Sequence, residues 1–253
     1  MDIAIIGTGN TATILSKKLK DAGHNILMVY GRNLLHALEL SGALGTKATD
    51  QLNEIPKDAD IYIIAVSDTA IKEIADKLIL PGKILVHTAA SVSKDVLKTS
   101  SANHGVFYPL QSLKKETGYI PVMPVMVDAS DEDTLTVLKD LAYSISDLVV
   151  VADDKERLKL HMAAVFCNNF TNHLYALIED YCNLEKLDFN LLKPLISETS
   201  NRLNYLSASS AQTGPALRHD AETLDKHVSL LDAHPHLKDL YLLLTKSIQN
   251  FNS

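Results

Sequence analysis

Short apolar runs alternate with segments of helical periodicity over residues 1–150. The apolar runs have the length of strands and are almost continuous, as in strands buried on both faces of a parallel sheet; they lie at 2–6, 26–30, 61–66, 84–87 and 148–151. The segments between them repeat apolar residues every three or four positions, at 10–20, 34–44, 70–78 and 131–142. This alternation predicts an α/β fold with a doubly wound, mostly parallel sheet and right-handed crossovers.

Two further segments complete the predicted sheet. Residues 46–49 have the length of a short strand. The apolar run 120–127 is interrupted by Pro121 and Pro124. Because proline cannot donate a hydrogen bond to a neighbouring strand, we expect this run to form an edge strand.

The pattern changes after Val151, where strand-type runs stop and helical periodicity continues almost to the last residue. We expect a long helix that begins near Asp153 and reaches Cys182. Three more helices are predicted at 188–205, 221–231 and 235–250. The chain is therefore predicted to have two domains, a sheet domain over 1–150 and an all-helical domain over 151–253.

The first strand leads into a glycine-rich turn that opens the first helix. Its G-x-G-x-x-A pattern has the required context, with a strand before it, a helix after it and a second strand at the expected distance. Gly7 makes the tight turn, Gly9 lets the backbone approach a pyrophosphate, and Ala12 lets the helix pack closely on the strand. We predict that the turn binds a dinucleotide, and the alternative is an ordinary turn without a ligand. The predicted contacts are Gly7, Thr8, Gly9, Asn10, Thr11 and Ala12.

The end of the second strand bears on the choice between NAD and NADP. NAD sites usually carry an acidic residue there for the ribose hydroxyls, whereas this chain has Gly31, Arg32 and Asn33 and no acid between Ile26 and Leu38. An arginine at this point can bind the 2′-phosphate of NADP. We therefore predict NADP, as NADPH, with contacts from these three residues. The alternative is that Arg32 is an ordinary surface residue.

Two more strand ends belong to the same predicted edge of the sheet. Ligands of such sheets bind outside the carboxyl ends of the strands. Val66, Ser67 and Asp68 follow one buried strand, and Thr88 follows the next. We expect these four residues near the nicotinamide half of the cofactor. For the neighbouring His87, a structural role is at least as well supported as a role in the site.

The long predicted helix has polar side chains on what would be its inner face. His161, Val165, Asn168 or Asn169, and Asn172 recur at helical spacing. Burying the polar atoms of His and Asn costs free energy unless they form hydrogen bonds, so we expect these side chains to have polar partners. One interpretation is hydrogen bonding at a dimer interface; the other, which we favour, is a catalytic cleft. In that cleft His161 would be the proton donor and Asn169 would hold the substrate.

A second polar segment, the loop 212–220, contains Arg218. Its planar guanidinium could bind the carboxylate of an anionic substrate. Alternatively, Arg218 pairs with Asp220 and only braces the helices. Both interpretations stay open at this level.

Composition narrows the class of protein. The formal charge of −7 argues against general nucleic-acid binding. No apolar run is long enough to span a membrane, and the opening residues lack the pattern of a signal peptide, so we expect a cytoplasmic protein. Cys167 and Cys182 lack metal-site spacing and are expected to be buried or partly buried thiols; no metal site is predicted.

Five motifs occur in the same order as in a bacterial family that joins a Rossmann-like NADP-binding domain to a helical C-terminal domain of unknown function. They are GTGNTA at 7–12, HTAAS at 87–91, FYPLQ at 107–111, HMAAVFCNNF at 161–170 and TGPALRHD at 213–220. The chain resembles this family over essentially its whole length. The family is similar to ketopantoate reductase, pyrroline-5-carboxylate reductase and the β-hydroxyacid dehydrogenases, with a 6-phosphogluconate-dehydrogenase-like architecture.

The resemblance implies an activity and a set of site residues. In ketopantoate reductase and the β-hydroxyacid dehydrogenases, a lysine works with an asparagine one or two turns later; the similar positions here hold His161 and Asn169. We expect an NADP-dependent oxidoreductase that reduces a small, anionic 2-keto acid, ketopantoate-like, or an imine. A homodimer through the helical domain is also implied. The alternative is a nucleotide-binding sensor or scaffold without turnover.

Overall fold

A computed structural model describes residues 1–251 of the chain. Eight strands form one sheet in the order β3-β2-β1-β4-β5-β6-β7-β8. All neighbouring pairs are parallel except β6 and β7. The strands are β1 (Asp2–Ile6), β2 (Asn25–Tyr30), β3 (Lys47–Thr49), β4 (Ile61–Ile64), β5 (Ile84–His87), β6 (His104–Pro109), β7 (Val125–Ala129) and β8 (Val149–Val151). The predicted doubly wound, mostly parallel sheet is confirmed.

Within residues 1–251, four α-helices precede β8 and five follow it. They are α1 (Asn10–Asp21), α2 (Leu34–Leu44), α3 (Asp68–Lys77), α4 (Glu132–Tyr143), α5 (Asp154–Ala164), α6 (Thr171–Leu184), α7 (Lys193–Asn201), α8 (Ala221–Leu230) and α9 (Pro235–Phe251). A π-helical turn, Val165–Phe170, joins α5 to α6. The predicted long helix therefore exists, but its regular spacing is interrupted within the polar stripe.

The buried residues of the strands alternate between two apolar clusters. Ile3, Ile5 and Ile63 belong to one cluster, whereas Ala4 and Ile64 belong to the other. Successive side chains of a strand point to opposite faces, so each cluster covers one face of the sheet. This burial on both faces explains why the strands read as continuous apolar runs.

The prediction that 120–127 forms an edge strand is wrong. Strand β7 pairs with β6 on one side and with β8 on the other. Both prolines precede the strand, and the carbonyl of Pro124 accepts a hydrogen bond from the Leu110 N–H at 2.8 Å. The rule against proline in inner strands therefore does not bear on β7, because neither Pro121 nor Pro124 lies within Val125–Ala129.

The chain divides into two compact units, Met1–Asn169 and Phe170–Ser253. The last strand ends at Val151, where we placed the domain boundary, whereas α5 belongs with the sheet in the first unit. The assignment of 1–150 and 151–253 to separate domains stays a prediction. Within residues 1–251, the helices include none long and apolar enough to cross a membrane.

Candidate functional site

The glycine-rich turn lies between the carboxyl ends of β1 and β4. Gly7 has a φ of 134°, and a Cβ atom there would lie 2.1 Å from the carbonyl oxygen of Ala65. Its N–H donates to the carbonyl of Tyr30 at 2.8 Å. Only glycine adopts this backbone conformation without strain, and only glycine fits against the neighbouring strand. The first glycine of the motif is therefore required by the fold itself.

Gly9 has a different role, because a Cβ atom there would meet no atom within 4 Å. It is the N-cap of α1, which has no side-chain cap and no acidic residue in its first turn. The N–H groups of a first helical turn have no partner within the helix and attract anions. These N–H groups border a cavity of about 370 Å³. The cavity is lined by Gly7, Thr8, Gly9, Asn10, Thr11, Tyr30, Gly31, Arg32, Asn33, His36, Ala65, Val66, Ser67, Ala70 and Ile74.

The lining of this first cavity also includes the residues predicted to distinguish NADP from NAD. Arg32 is exposed there, and Asp and Glu are absent from the described lining. The Asn33 side-chain oxygen caps α2 by accepting hydrogen bonds from the Leu35 N–H at 2.9 Å and the His36 N–H at 3.4 Å. Gly31 lies close to the Thr8 methyl group, which leaves no room for a side chain. A lining that combines free N–H groups with the Arg32 cation fits a phosphorylated dinucleotide.

Three of the predicted cofactor contacts lie outside the lining of the first cavity. Ala12 is fully buried in the core. The Asp68 carboxylate accepts a hydrogen bond from the Ser91 hydroxyl at 2.5 Å. Thr88 is nearly buried, and its N–H donates to the carbonyl of Ile64 at 3.1 Å. A direct role of these three residues in cofactor binding stays a prediction.

A second cavity, of about 320 Å³, brings together two of the three predicted catalytic residues. His161 and Asn169 both line it, with Tyr108, Leu110, Gln111, Ser112, Ala164, Val165, Cys167 and Asn168. Tyr108 lies near the carboxyl end of β6, which runs parallel to β5, so this cavity lies at the same edge of the sheet as the first. Lysine and arginine are absent from its described lining.

The π-helical turn explains why both Asn168 and Asn169 line this cavity. A π turn contains an extra residue compared with an α turn, so it shifts the face that later residues present. The sequence pattern left Asn168 and Asn169 as alternatives for one position. The structure places both amides with His161, and both are exposed. Cys167 is also exposed, contrary to the prediction, whereas Cys182 is buried; both are free thiols.

The loop after β6 connects the two cavities. Leu110, Gln111 and Ser112 line the second cavity. Further along the same loop, the Lys115 N–H donates to the Asn10 side-chain oxygen at 3.3 Å, and Asn10 lines the first cavity. One loop at the carboxyl edge of the sheet therefore contacts both cavities.

His161 is held by a tyrosine that the sequence analysis did not single out. The Tyr108 hydroxyl and the His161 Nδ1 are 3.1 Å apart, and the two rings meet edge to face at 80°. Burial raises the pKa of Tyr108, and the nearby carboxylate of Asp68 adds to this effect. The phenol is thus protonated near neutral pH. The FYPLQ motif contained Tyr108, but nothing in the sequence paired it with His161.

Arg157 is the second residue that sequence reasoning missed. Its side chain is 1% exposed, and its Nε donates to the Ala90 carbonyl at 3.2 Å. Its Nη2 donates both to the Val92 carbonyl at 2.7 Å and to the Asp154 carboxylate at 2.6 Å. Burial alone would raise the pKa of Asp154, but hydrogen bonds from Ser93 and Arg157 outweigh it and lower the pKa. Arg157 thereby ties α5 to the loop after β5.

His87 has a structural role. It is fully buried, its Nδ1 accepts a hydrogen bond from the Ala89 N–H at 3.2 Å, and its Nε2 lies 3.3 Å from the Ser93 carbonyl. Desolvation lowers the pKa of His87 to about 4. The imidazole is therefore neutral near pH 7 and holds the turn after β5.

The third predicted catalytic residue, Arg218, lies in the second unit and is exposed. Asp220, its proposed ion-pair partner, is the N-cap of α8. The carboxylate of Asp220 accepts hydrogen bonds from the Thr223 N–H at 3.2 Å and the Thr223 hydroxyl at 2.8 Å. Its pKa is lowered by the Thr223 contacts first and only weakly by Arg218. A role of Arg218 in catalysis stays a prediction.

Two family models match the chain. Residues 2–91 match the family described as NADP oxidoreductase coenzyme F420-dependent, and residues 123–248 match a domain of unknown function, DUF2520. Among solved structures, a Bacteroides fragilis protein assigned as an NADP oxidoreductase is 36% identical, with a TM-score of 0.91 and coverage of 98% of each chain.

More distant relatives share part of the sequence or the fold alone. A pyrroline-5-carboxylate reductase of Streptococcus pyogenes has a TM-score of 0.67 at 14% identity and covers 99% of this chain and 98% of its own. A glycerol-3-phosphate dehydrogenase [NAD(P)+] of Staphylococcus epidermidis is 27% identical over 59% of this chain and 55% of its own length. The chain thus matches about half the length of this curated relative.

The cavity at the glycine-rich turn, the helical second half and these matches agree on one assignment. The fold and the resemblance predicted from the sequence are confirmed. The chain belongs to the family of NAD(P)-dependent oxidoreductases that join a Rossmann-type NADP oxidoreductase domain to a C-terminal DUF2520 domain.

Proposed function

We propose that this protein is an NADPH-dependent reductase of a small 2-keto acid, ketopantoate-like, or of an imine, with His161 as the proton donor. The observation that carries the proposal is the position of His161. It lines a polar cavity that a single loop connects to the nucleotide-type cavity at the same sheet edge. A histidine at such a position can deliver a proton near neutral pH.

The preference for NADPH rests on the first cavity. The N–H groups at the start of α1 would hold the pyrophosphate, and Arg32 would bind the 2′-phosphate where NAD sites carry an acid. The Bacteroides fragilis relative, assigned as an NADP oxidoreductase, supports the same choice. A bound nicotinamide nucleotide supplies the hydride, so the chain itself has only to orient the substrate and provide a proton.

The second cavity supplies the groups for these two tasks. The Asn169 amide, which can both donate and accept hydrogen bonds, would orient the substrate carbonyl or imine beside His161. Apart from His161, the lining of this cavity combines apolar side chains with neutral polar ones. Arg218 stays the predicted group for a substrate carboxylate, because its guanidinium is exposed and Asp220 is engaged with Thr223.

The test is NADPH oxidation, followed by absorbance, over a panel of 2-keto acids and cyclic imines. We expect turnover with at least one of them, and we expect His161→Gln to lower kcat by about 10²–10⁴-fold with NADPH binding unchanged. His173→Gln, at an exposed histidine of α6, is the matched control. NADPH binding without turnover on any substrate would favour the sensor. Unchanged kcat in His161→Gln would reject this residue as the donor.

We also propose that the helical unit pairs with a second copy of this chain. Cys182, Ala216 and Leu231 are the buried hydrophobic residues recorded for this unit. Its exposed leucines are far more numerous and include Leu184, Leu187, Leu191, Leu195, Leu203, Leu230, Leu242, Leu243 and Leu244. So much exposed apolar surface favours a homodimer. The cytoplasm stays our prediction for the compartment, in line with two free cysteines.

A further inference from the structure

We propose that Tyr108 is a positioning residue that keeps a proton on the Nδ1 of His161 and so presents Nε2 to the substrate. The inference rests on the proposed function, in which His161 is the proton donor. The Tyr108 hydroxyl lies 3.1 Å from Nδ1, and both side chains line the second cavity. The hydrogen bond made by one ring nitrogen determines what the other nitrogen can do.

The hydroxyl of Tyr108 can serve His161 in both of its protonation states. An imidazolium carries protons on both nitrogens, so Nδ1–H donates to the phenol oxygen. After Nε2 loses its proton, the same Nδ1–H···O bond remains. Because burial keeps the phenol protonated, Tyr108 is a neutral acceptor and does not itself change charge as His161 does.

The proton balance of the reduction follows from this arrangement. The carbonyl carbon accepts a hydride from the reduced nicotinamide, which is oxidised, while the carbonyl π bond breaks. The oxygen takes the Nε2 proton of the imidazolium, which gives the alcohol and a neutral imidazole. In an imine, the nitrogen takes that proton. The Nδ1 proton stays in the hydrogen bond to Tyr108 throughout, so the ring keeps its orientation.

Other titratable or charged side chains act on the same pair. Asp68, at the start of α3, and Arg157, on α5, have opposite electrostatic effects on Tyr108. Cys167 lines the cavity from the π-helical turn. None of them changes in the variants used below, so a difference between variants reports the Tyr108 hydroxyl.

The chain offers a matched control in a second histidine–tyrosine pair. The His227 Nδ1 lies 2.8 Å from the Tyr241 hydroxyl, with the rings edge to face at 79°. This pair lies in the second unit, and neither residue lines either cavity described above. Tyr241→Phe removes the same kind of hydrogen bond without touching the proposed site.

The first experiment reads the proton directly and needs no turnover. In ¹⁵N-histidine NMR spectra, assigned with His161→Gln, we expect deprotonated His161 of the wild type to carry its proton on Nδ1. In Tyr108→Phe we expect loss of this preference, because the acceptor for the Nδ1 proton is gone. A wild-type ring protonated on Nε2, or an unchanged preference for Nδ1 in Tyr108→Phe, would overturn the inference. The wild-type spectrum decides the matter even if that variant does not fold.

The second experiment measures catalysis with the substrate found in the panel. We expect Tyr108→Phe to lower kcat at least about tenfold, less than the loss in His161→Gln, with KM within about threefold. The kcat of Tyr241→Phe should match that of the wild type. Full kcat in Tyr108→Phe would contradict the inference. Absence of turnover in the wild type would instead reject the proposed function, and the NMR result would still stand.

Discussion

The Nε of Arg157 donates a hydrogen bond to the carbonyl of Ala90 at 3.2 Å, across 67 positions of sequence. This contact fastens the loop after β5 to the helix that carries His161 one turn later. Because the guanidinium is almost fully buried, its removal would leave the carbonyls of Ala90 and Val92 without this donor, whereas the Asp154 carboxylate would keep the Lys94 N–H. The side chains of Arg157 and Asp154 therefore both join the helix to the loop.

We expect Arg157→Met to lower the free energy of unfolding by about 2–4 kcal/mol, because the carbonyls of Ala90 and Val92 lose their donor and an unsatisfied buried polar group costs about 1–3 kcal/mol. Urea unfolding followed by circular dichroism measures this change. Arg202→Met removes an arginine from the exposed pair with Glu198 and should cost less than about 1 kcal/mol. Equal losses in the two variants would contradict a special role for Arg157.

The two glycines of the turn should respond differently to the same substitution. Gly7→Ala should destabilise the fold by several kcal/mol, since its Cβ would collide with the Ala65 carbonyl at a positive φ. Gly9→Ala should cost about 1 kcal/mol or less as a weaker N-cap. Its methyl group would point into the open cavity and raise the Kd for NADPH at least about tenfold, measured by NADPH fluorescence. Wild-type affinity in Gly9→Ala would contradict pyrophosphate binding at this turn.

Cofactor preference should depend on Arg32. We expect Arg32→Glu to raise the Kd for NADPH by about 10- to 100-fold, because a charge-assisted contact with the 2′-phosphate is lost. The Kd for NADH should change little, since that cofactor lacks the phosphate. Fluorescence titrations with both cofactors measure the ratio. Equal changes in the Kd values for NADPH and NADH would rule out the contact. Arg202→Glu, directly after α7, is the control with the same change of charge.

Acid stability should depend on His87. Its pKa of about 4 in the folded protein lies below the ordinary value of 6.5, so the unfolded chain takes up this proton first as the pH falls. Stability from this residue is complete above about pH 6.5 and is lost progressively down to about pH 4, by about 3 kcal/mol in total. The pKa values of the Asp131, Asp154 and Asp220 carboxylates are also lowered, and these groups reduce the stability of the fold only at lower pH.

Urea unfolding at a series of pH values measures this effect. His87→Gln can keep one donor and one acceptor but cannot titrate, so we expect its stability to fall less between pH 6.5 and 4. His173→Gln, at an exposed position, should keep the wild-type slope. A wild-type slope in His87→Gln would contradict the assignment.

The proposed dimer predicts the mass in solution. Sedimentation equilibrium should give twice the mass of one chain. Leu243→Arg, on α9, should shift the mass toward that of one chain because it places a charge in an apolar interface, whereas Leu35→Arg, equally exposed on α2, should not. A wild-type monomer would reject the proposal.

The local pattern of apolar, polar and glycine residues was sufficient to predict most strands and helices and the glycine-rich turn. Strand runs, helix periods and glycine positions depend on neighbours along the chain, so β1, α1 and most of the residues that line the first cavity could be predicted. The position of β7 could not, because its place between β6 and β8 depends on where the prolines end and the paired segment begins. A proline rule applied to the whole run gave the wrong answer.

The sequence alone predicted the alternation of strands and helices along the chain, the separate roles of Gly7 and Gly9, and His161 with Asn169 as site candidates. Only the tertiary structure showed which side chains hold His161 and its helix in place. Tyr108 and His161 are 53 positions apart, and Arg157 reaches a loop 67 positions earlier. Such contacts form only when distant strands and helices meet in the folded core, and no periodicity along the chain records them.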